Sequence, residues 1–270
     1  MHLKNIYNKK IDIMKLIDFI KRIFSKRKKK IEIGNLPSQG LFYKDDFNIV
    51  IKRVDPKEIA EYEKEYDRED LSLVLGRLKK IVENNIVLPK GYSFNYIKSI
   101  DVIFIFLEIV RLTKSRPVQL EYFNDEIGMV DKIDFDEKTF NYCRLEEDIM
   151  KYWDSDERCF KISGYKFTLP SIGIENSLTR FLIDKSYAEN AEKYNDYSYN
   201  FTYFLGDREF VSFGEIENLI QIFNVDMDEE EIEKTDNLVR MFMPLQKYSL
   251  KRNNRIIEMS SKINLEEIWR

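Results

Sequence analysis

Read from the amino end, the chain first shows apolar residues at helical spacing. Ile13, Leu16, Ile17, Ile20, Ile23 and Phe24 recur every three or four positions opposite Asp12, Lys15, Asp18, Lys21 and Arg22, which predicts a short amphipathic helix. The period then drops to two. Phe47, Ile49 and Ile51, continuing to Arg53, alternate with Asn48, Val50 and Lys52, the pattern of a strand with one face better covered than the other. Asp55-Pro56-Lys57-Glu58 supplies an N-cap, a proline suited to the first helical position and an acid three residues on, so a helix starts there. A second helix is predicted over 71–82, ended by Asn84-Asn85 and followed by a turn at Pro89-Lys90-Gly91. From 100 to 112 only Asp101, Glu108 and Arg111 interrupt an apolar run. Its β-branched content would suit a strand, but its length and its continuation from Tyr96 and Ile97 favour a buried helix, stopped by Pro117. Residues 118–123 and 129–135, joined across Gly128, read as a hairpin.

The second half follows the same order with more aromatic residues. A strand over 160–168 is expected to lead into Leu169-Pro170-Ser171-Ile172-Gly173, which matches Leu36-Pro37-Ser38-Gln39-Gly40 at an offset of 133. In each copy the proline holds the preceding residue extended and the glycine permits a backbone angle that other residues resist, so both read as sharp opening turns. Helices are expected to begin at 178–183, to span 213–223 and to run over 228–243, where Pro244 ends the last. A hairpin of 248–252 with 256–263 closes the half. Residues 120–137 match 250–267 at an offset of 130 with seven identities in eighteen positions, from Leu120 with Leu250 to Glu137 with Glu267. The two offsets agree within one loop insertion, which points to an internal duplication. The expected fold is α+β: an arm over 1–30 and two similar halves, 31–145 and 146–270, each with an opening turn and strand, a few helices and a closing β-hairpin.

Composition narrows the chemistry. The 270 residues are 43% hydrophobic, enough to bury a core, and the net charge is -4. Residues 1–30 hold eleven Lys or Arg against Asp12 and Asp18, a net of +9, which leaves -13 for the remaining 240. The run Lys26-Arg27-Lys28-Lys29-Lys30 is expected to stay solvated or to meet an anionic partner. Three readings of the arm stand side by side: an appendage that docks on a protein neighbour, a membrane-surface helix, or an upstream extension with Met14 as the true start. Cys143 and Cys159 imply no disulfide framework. His2 is the single histidine and lies in the arm, so no Ser-His or Cys-His pair is expected inside the fold. Phosphate loops, dinucleotide fingerprints and His-x-x-x-His pairs are missing from the sequence. The acidic run Asp226-Met227-Asp228-Glu229-Glu230-Glu231 lacks the glycine and ligand spacing of a calcium loop and reads as a solvated helix start. Tyr194, Tyr197, Tyr199, Phe201, Tyr203 and Phe204 lack interleaved Arg or Lys, so they read as core or interface rather than a base-stacking surface. No catalysis, cofactor, metal or small-molecule substrate is expected, and nucleic acid is a disfavoured partner.

Leu36-Pro37-Ser38-Gln39-Gly40-Leu41-Phe42-Tyr43, the alternating strand to Arg53, and Asp101 entering a helix that ends at Arg111-Leu112-Thr113 together resemble the baseplate hub assembly proteins of T-even-type contractile phages. Phe167-Thr168-Leu169-Pro170-Ser171 and the terminal Leu265-Glu266-Glu267-Ile268-Trp269 extend the resemblance over about residues 34–270. Family members often carry Cys-x-x-Cys knuckles in each closing hairpin; here those strands hold Glu121-Tyr122-Phe123-Asn124 and Lys251-Arg252-Asn253-Asn254, so zinc is not expected. The resemblance implies a non-catalytic tail protein, an assembly factor for the hub or a component of the baseplate, located in the virion tail or in the host cytoplasm during assembly. Its implied partners are other tail or baseplate proteins and further copies of itself. Ile13, Leu16, Ile17, Ile20 and Phe24 of the arm, Leu36, Phe42, Tyr43 and Leu169 of the turns, and Trp269 are the residues expected to make those contacts. The other class is an intracellular adaptor or regulator whose basic arm binds nucleic acid or a membrane surface.

Overall fold

The computed structural model describes residues 28–65, 71–124, 128–136, 150–162, 165–186, 208–222, 249–252 and 255–258, with isolated positions between 228 and 240. The arm residues Ile13, Leu16, Ile17, Ile20 and Phe24, the tyrosine stretch 194–204 and Trp269 lie outside them.

The alternation around Ile49 forms strand β2, Ile49–Lys52, with Ile49 and Ile51 fully buried. It pairs antiparallel with β1, Lys28–Ile31, and with the short β3, Ile86–Val87, giving a sheet in the order β1-β2-β3. Here the structure corrects the arm boundary: Lys28, Lys29 and Lys30 belong to the sheet rather than to a solvated appendage. The reason is strand alternation, which points Lys29 and Ile31 inward. The Lys29 ammonium lies 2.6 Å from Oε2 of the buried Glu108, so the charge that would be costly inside is paired. An inward lysine on an outer strand also discourages further strand addition.

Helix α1, Pro56–Glu65, begins as expected, with Asp55 Oδ1 accepting from the Lys57 N–H at 2.8 Å. Helix α2, Leu71–Asn85, leads through 3-10 turns at Phe94–Tyr96 and Ser99–Asp101 into α3, Val102–Lys114. This is the apolar segment, and it is a helix. Val102 and every residue from Phe104 to Val110 are buried, Glu108 among them. Each large apolar side chain so covered contributes roughly 1.5–3 kcal/mol, which makes α3 the centre of the main core. Ser115 turns the chain left-handed (φ 56°) and its N–H bonds the Arg111 carbonyl, closing the helix two residues before Pro117. The hairpin of β4, Gln119–Asn124, and β5, Met129–Asp134, then lays Leu120 on the core, with Phe135 packed edge-on to Phe104.

The second half opens with an antiparallel sheet β6-β7-β8: Trp153–Asp154, Cys159–Ile162 and Tyr165–Phe167. The single strand expected over 160–168 is therefore two, running antiparallel on either side of Ser163-Gly164, with Phe160 opposite Phe167 and both fully buried. Helix α4, Ile172–Ser186, starts six residues before the expected 178. Ser171 caps it, its Oγ accepting from the Ile174 N–H at 3.3 Å. Helix α5, Phe213–Gln221, carries a capping box between Ser212 and Glu215 and buries Ile216 and Ile220 against Ile174, Leu178, Phe181 and Val211 of a second, smaller cluster. The described residues 229–230, 232–233, 236–237 and 240 are helical, within the span expected.

The architecture is α+β, helices with small antiparallel sheets. Each half has a sheet, a long helix and a closing hairpin, the second made by β9, Ser249–Arg252, and β10, Arg255–Glu258. The hairpins differ in reach. Leu120 pairs with Ile133, thirteen residues on, whereas Leu250 pairs with Ile257, seven on, so the offset of 130 aligns the first strand of each hairpin and not the second. Among the described residues no helix is long and apolar enough to cross a membrane.

Candidate functional site

Both Leu-Pro-Ser turns converge on one short segment, Ile97 to Asp101. In the first, the carbonyls of Leu36, Ser38 and Gly40 accept in succession from the N–H groups of Gln39, Leu41 and Tyr43, a tight coil that needs left-handed backbone at Gln39 (φ 58°) and Gly40 (φ 72°). A Cβ at Gly40 would sit 2.7 Å from Ile33 Cγ2, so only glycine fits there. The coil presents its own donors to a single buried carboxylate: Asp101 Oδ1 accepts from the Ser38 N–H at 2.8 Å and Oδ2 from the Tyr43 hydroxyl at 2.7 Å. The Tyr43 oxygen in turn accepts from the Lys98 N–H at 2.8 Å. Burial pushes the Asp101 carboxyl up to about 6, and the bonds from Ser38 and Tyr43 limit the rise.

The second turn reaches the same segment from the other side. Lys98 and Ser171 form an antiparallel bridge in which the Ser99 N–H bonds the Pro170 carbonyl at 3.0 Å and the Ile172 N–H bonds the Ile97 carbonyl at 2.8 Å. Gly173 differs from its counterpart Gly40. It is helical, and glycine is required because a Cβ would run into the carbonyl oxygen of Glu209. Ser171 Oγ donates to the Arg208 carbonyl at 2.6 Å, which fixes that crossing.

Aromatic rings fill the space between the halves. Phe42 meets Trp153 edge-on at 5.3 Å and Phe160 at 6.0 Å, while Tyr43 stacks on Phe47 at 4.4 Å. Lys98 is wholly buried, its ammonium 5.5 Å from the Tyr96 ring centre and 5.9 Å from that of Phe42. Arg158, itself left-handed at φ 50°, donates to the Tyr43 carbonyl at 2.6 Å and to Asp45 Oδ1 at 2.7 Å, tying the β6–β7 turn to the first coil. Above this junction lies an open cleft of about 600 Å³ lined by Gln39, Gly40, Leu41, Asp45, Trp153, Ser155, Asp156 and Arg158. Behind Asp156, Asp154 is held at about 2 by its bond to Lys161, which also pairs with Glu157.

These positions revise the expected contact residues. Leu36, Phe42, Tyr43 and Leu169 are all 2% exposed or less, so their contacts are made within the chain rather than offered to a partner. What the fold does present is the tip of the first hairpin, where Met129 and Val130 are 64% and 60% exposed, and a set on the second half with Ile183, Phe210, Phe213 and Ile222. Lys98, Trp153 and Arg158 were not singled out by the sequence. Lys98 gave no signal, being one lysine among many; Trp153 could have been found as an aromatic beside the apolar 159–162 run. No group of three or more His, Cys, Asp or Glu placed to hold a metal occurs among the described residues. Compared with known proteins, the chain matches no family model, no curated protein and no solved structure.

Proposed function

We propose that this chain is a non-catalytic protein of a contractile phage tail, acting in assembly of the baseplate hub or as a part of the baseplate, and that it works through protein contacts. The observation that carries the reading is that three of the motifs behind the resemblance, all within residues 36–113, are in contact with one another. Leu36 to Tyr43 coil onto Asp101 at the start of α3, and at the end of α3 Thr113 Oγ1 accepts from the Val54 N–H that follows the alternating strand. Short words scattered along a sequence have no reason to interlock in this way. Three of them do so here, as expected of a shared fold signature.

The two buried carboxylates of the main core are spent on packing: Asp101 on the coil, Glu108 on Lys29 and Arg111. The exposed apolar residues Met129 and Val130, at a hairpin tip beyond the core, have the composition of a contact surface. A tagged chain recovered from infected cells should bring tail hub proteins with it, and recovery with nucleic acid or membranes alone refutes the reading. Replacing Met129 and Val130 with Ser should weaken that recovery while leaving the melting temperature of the chain in place.

A further inference from the structure

The outer face of the β1-β2-β3 sheet is basic in a way the fold itself does not require. Strand alternation turns Lys28 and Lys30 outward on β1, Val50 and Lys52 on β2, and Val87 on β3. Across the sheet these side chains form two rows, Lys28 opposite Lys52 in one and Lys30, Val50 and Val87 side by side in the other. Lys28 and Lys52 are a like-charge pair, which weakens a sheet when nothing negative lies against it. None of Lys28, Lys30 and Lys52 makes an ion pair among the described residues, in contrast to Lys29 on the inner face, which is paired with Glu108. Glu32, the next acidic residue along the chain, accepts from the Asn35 amide at 3.2 Å instead. Val50 is half-buried and Val87 is 43% exposed.

We propose that this face binds the surface of an anionic lipid bilayer, with Lys28, Lys30 and Lys52 on lipid phosphates and Val87 among the glycerol and upper acyl groups. Charge complementarity and the mix of side chains select that occupant. A bilayer surface is charged outside and apolar just beneath, and long lysine side chains reach its phosphates while their stems and the neighbouring valines stay on the apolar side. A nucleic acid would meet the same charges, but the face gives its bases no aromatic ring or arginine plane to stack on, and it sets methyl groups where a phosphate backbone would need donors. The chain that runs into β1 supplies more of the same chemistry. Residues 1–27 hold eight Lys or Arg against Asp12 and Asp18, and the apolar positions from Ile13 to Phe24 have the spacing of a segment that lies in a membrane interface. Basic charge and one apolar anchor are each marginal on a bilayer, whereas the two together hold. Residues 31–270 carry -13, so the lipid charge that draws this face in turns the body away and fixes the orientation. The inference stands apart from the tail reading, since it is tested on the purified chain alone.

Co-sedimentation of the full chain with vesicles is the test. Vesicles of phosphatidylcholine and phosphatidylglycerol in equal parts should bind the chain, and vesicles of phosphatidylcholine alone should not. Binding should fall as salt rises from about 0.1 M to about 1 M, because the screening length shrinks from about 10 Å to about 3 Å. Each basic residue near an anionic surface is worth about fivefold in affinity, so Lys28→Gln/Lys30→Gln/Lys52→Gln should bind roughly a hundredfold more weakly. Its melting temperature should hold or rise, because the like-charge pair is gone. Lys52→Gln alone leaves β1 untouched and should lose about fivefold, which decides by itself if the triple variant does not fold. A wild-type chain that fails to bind the mixed vesicles, or binds both kinds equally, overturns the proposal. So do lysine variants that bind like the wild type, since the sheet face then takes no part. A chain that binds a labelled oligonucleotide through the three lysines but not the vesicles overturns it in favour of nucleic acid.

Discussion

Replacing Asp101 with Asn should remove one specific component of the pH dependence of stability. The carboxyl lies wholly inside the protein, and burial raises it from an ordinary 3.8 to about 6. Below 3.8 both folded and unfolded chains hold the proton. Between 3.8 and 6 the folded chain alone holds it, so stability falls as pH rises through that window and levels off above 6. The shift corresponds to about 3 kcal/mol, the cost of keeping this carboxylate charged at neutral pH. In the Asn variant that cost disappears, but a different one enters. Oδ1 can still accept from the Ser38 N–H, whereas the new amide donor faces a Tyr43 oxygen that already accepts from Lys98, and the Tyr43 hydroxyl loses its acceptor. A buried donor left without a partner costs about 1–3 kcal/mol. The two terms nearly offset at pH 7, so Asp101→Asn should be close to neutral there and destabilised by about 1–3 kcal/mol at pH 4.5. Urea unfolding of both proteins across pH 4.5 to 7, compared as a difference, isolates Asp101 from carboxylates such as Asp154 whose own titration lies lower. A difference that does not change with pH would refute the buried, hydrogen-bonded placement of Asp101.

Truncation should separate arm from sheet: removing residues 1–27 should leave the melting temperature nearly unchanged, whereas removing 1–30 takes away most of β1 and strips Lys29 from the buried Glu108. The second loss should cost about 1–3 kcal/mol, read as roughly 2–4 °C of melting temperature for each kcal/mol. Phe42→Ala removes the ring that Trp153 and Phe160 pack on, and should cost about 3–5 kcal/mol in urea unfolding while shifting Trp153 emission to the red. A metal chelator should leave the melting temperature where it is, because the closing hairpins hold Glu121 to Asn124 and Lys251 to Asn254 where thiolates would tie folding to zinc; a drop with chelator would reveal a site built from other residues.

What was legible in the sequence follows from how local its cause is. Helix α3 announces itself because a long apolar run has few other solutions, and α1 because Asp55-Pro56-Lys57-Glu58 carries its own cap. The first hairpin is announced by Pro117 before it and by Gly128 at its turn. The second-half strand reads as one because the alternation runs on past Ser163-Gly164, and α4 reads as starting late because Gly173 looks like a turn residue. Its lack of a side chain serves the close approach of Glu209 instead. Lys29 reads as solvated because its neutralising partner, Glu108, is 79 residues away and appears in sequence only as an interruption of an apolar run. The same distance hides Arg158, whose partner in the first coil lies 115 residues away. The repeated Leu-Pro-Ser words were visible from the start, but not that both are consumed internally at Ile97 to Asp101.

That shared anchorage is tested most directly by hydrogen exchange of four backbone amides. Ser38 and Lys98 donate within the first turn's network, while Ser99 and Ile172 donate across the second. If the segment Ile97 to Asp101 binds both turns into one cooperative unit, all four amides exchange only when the whole chain unfolds, and they report a single opening free energy equal to that from urea. Exchange of Ser99 and Ile172 at a much lower free energy than Ser38 and Lys98 would mean that the second turn opens by itself, and that the two halves are separate units.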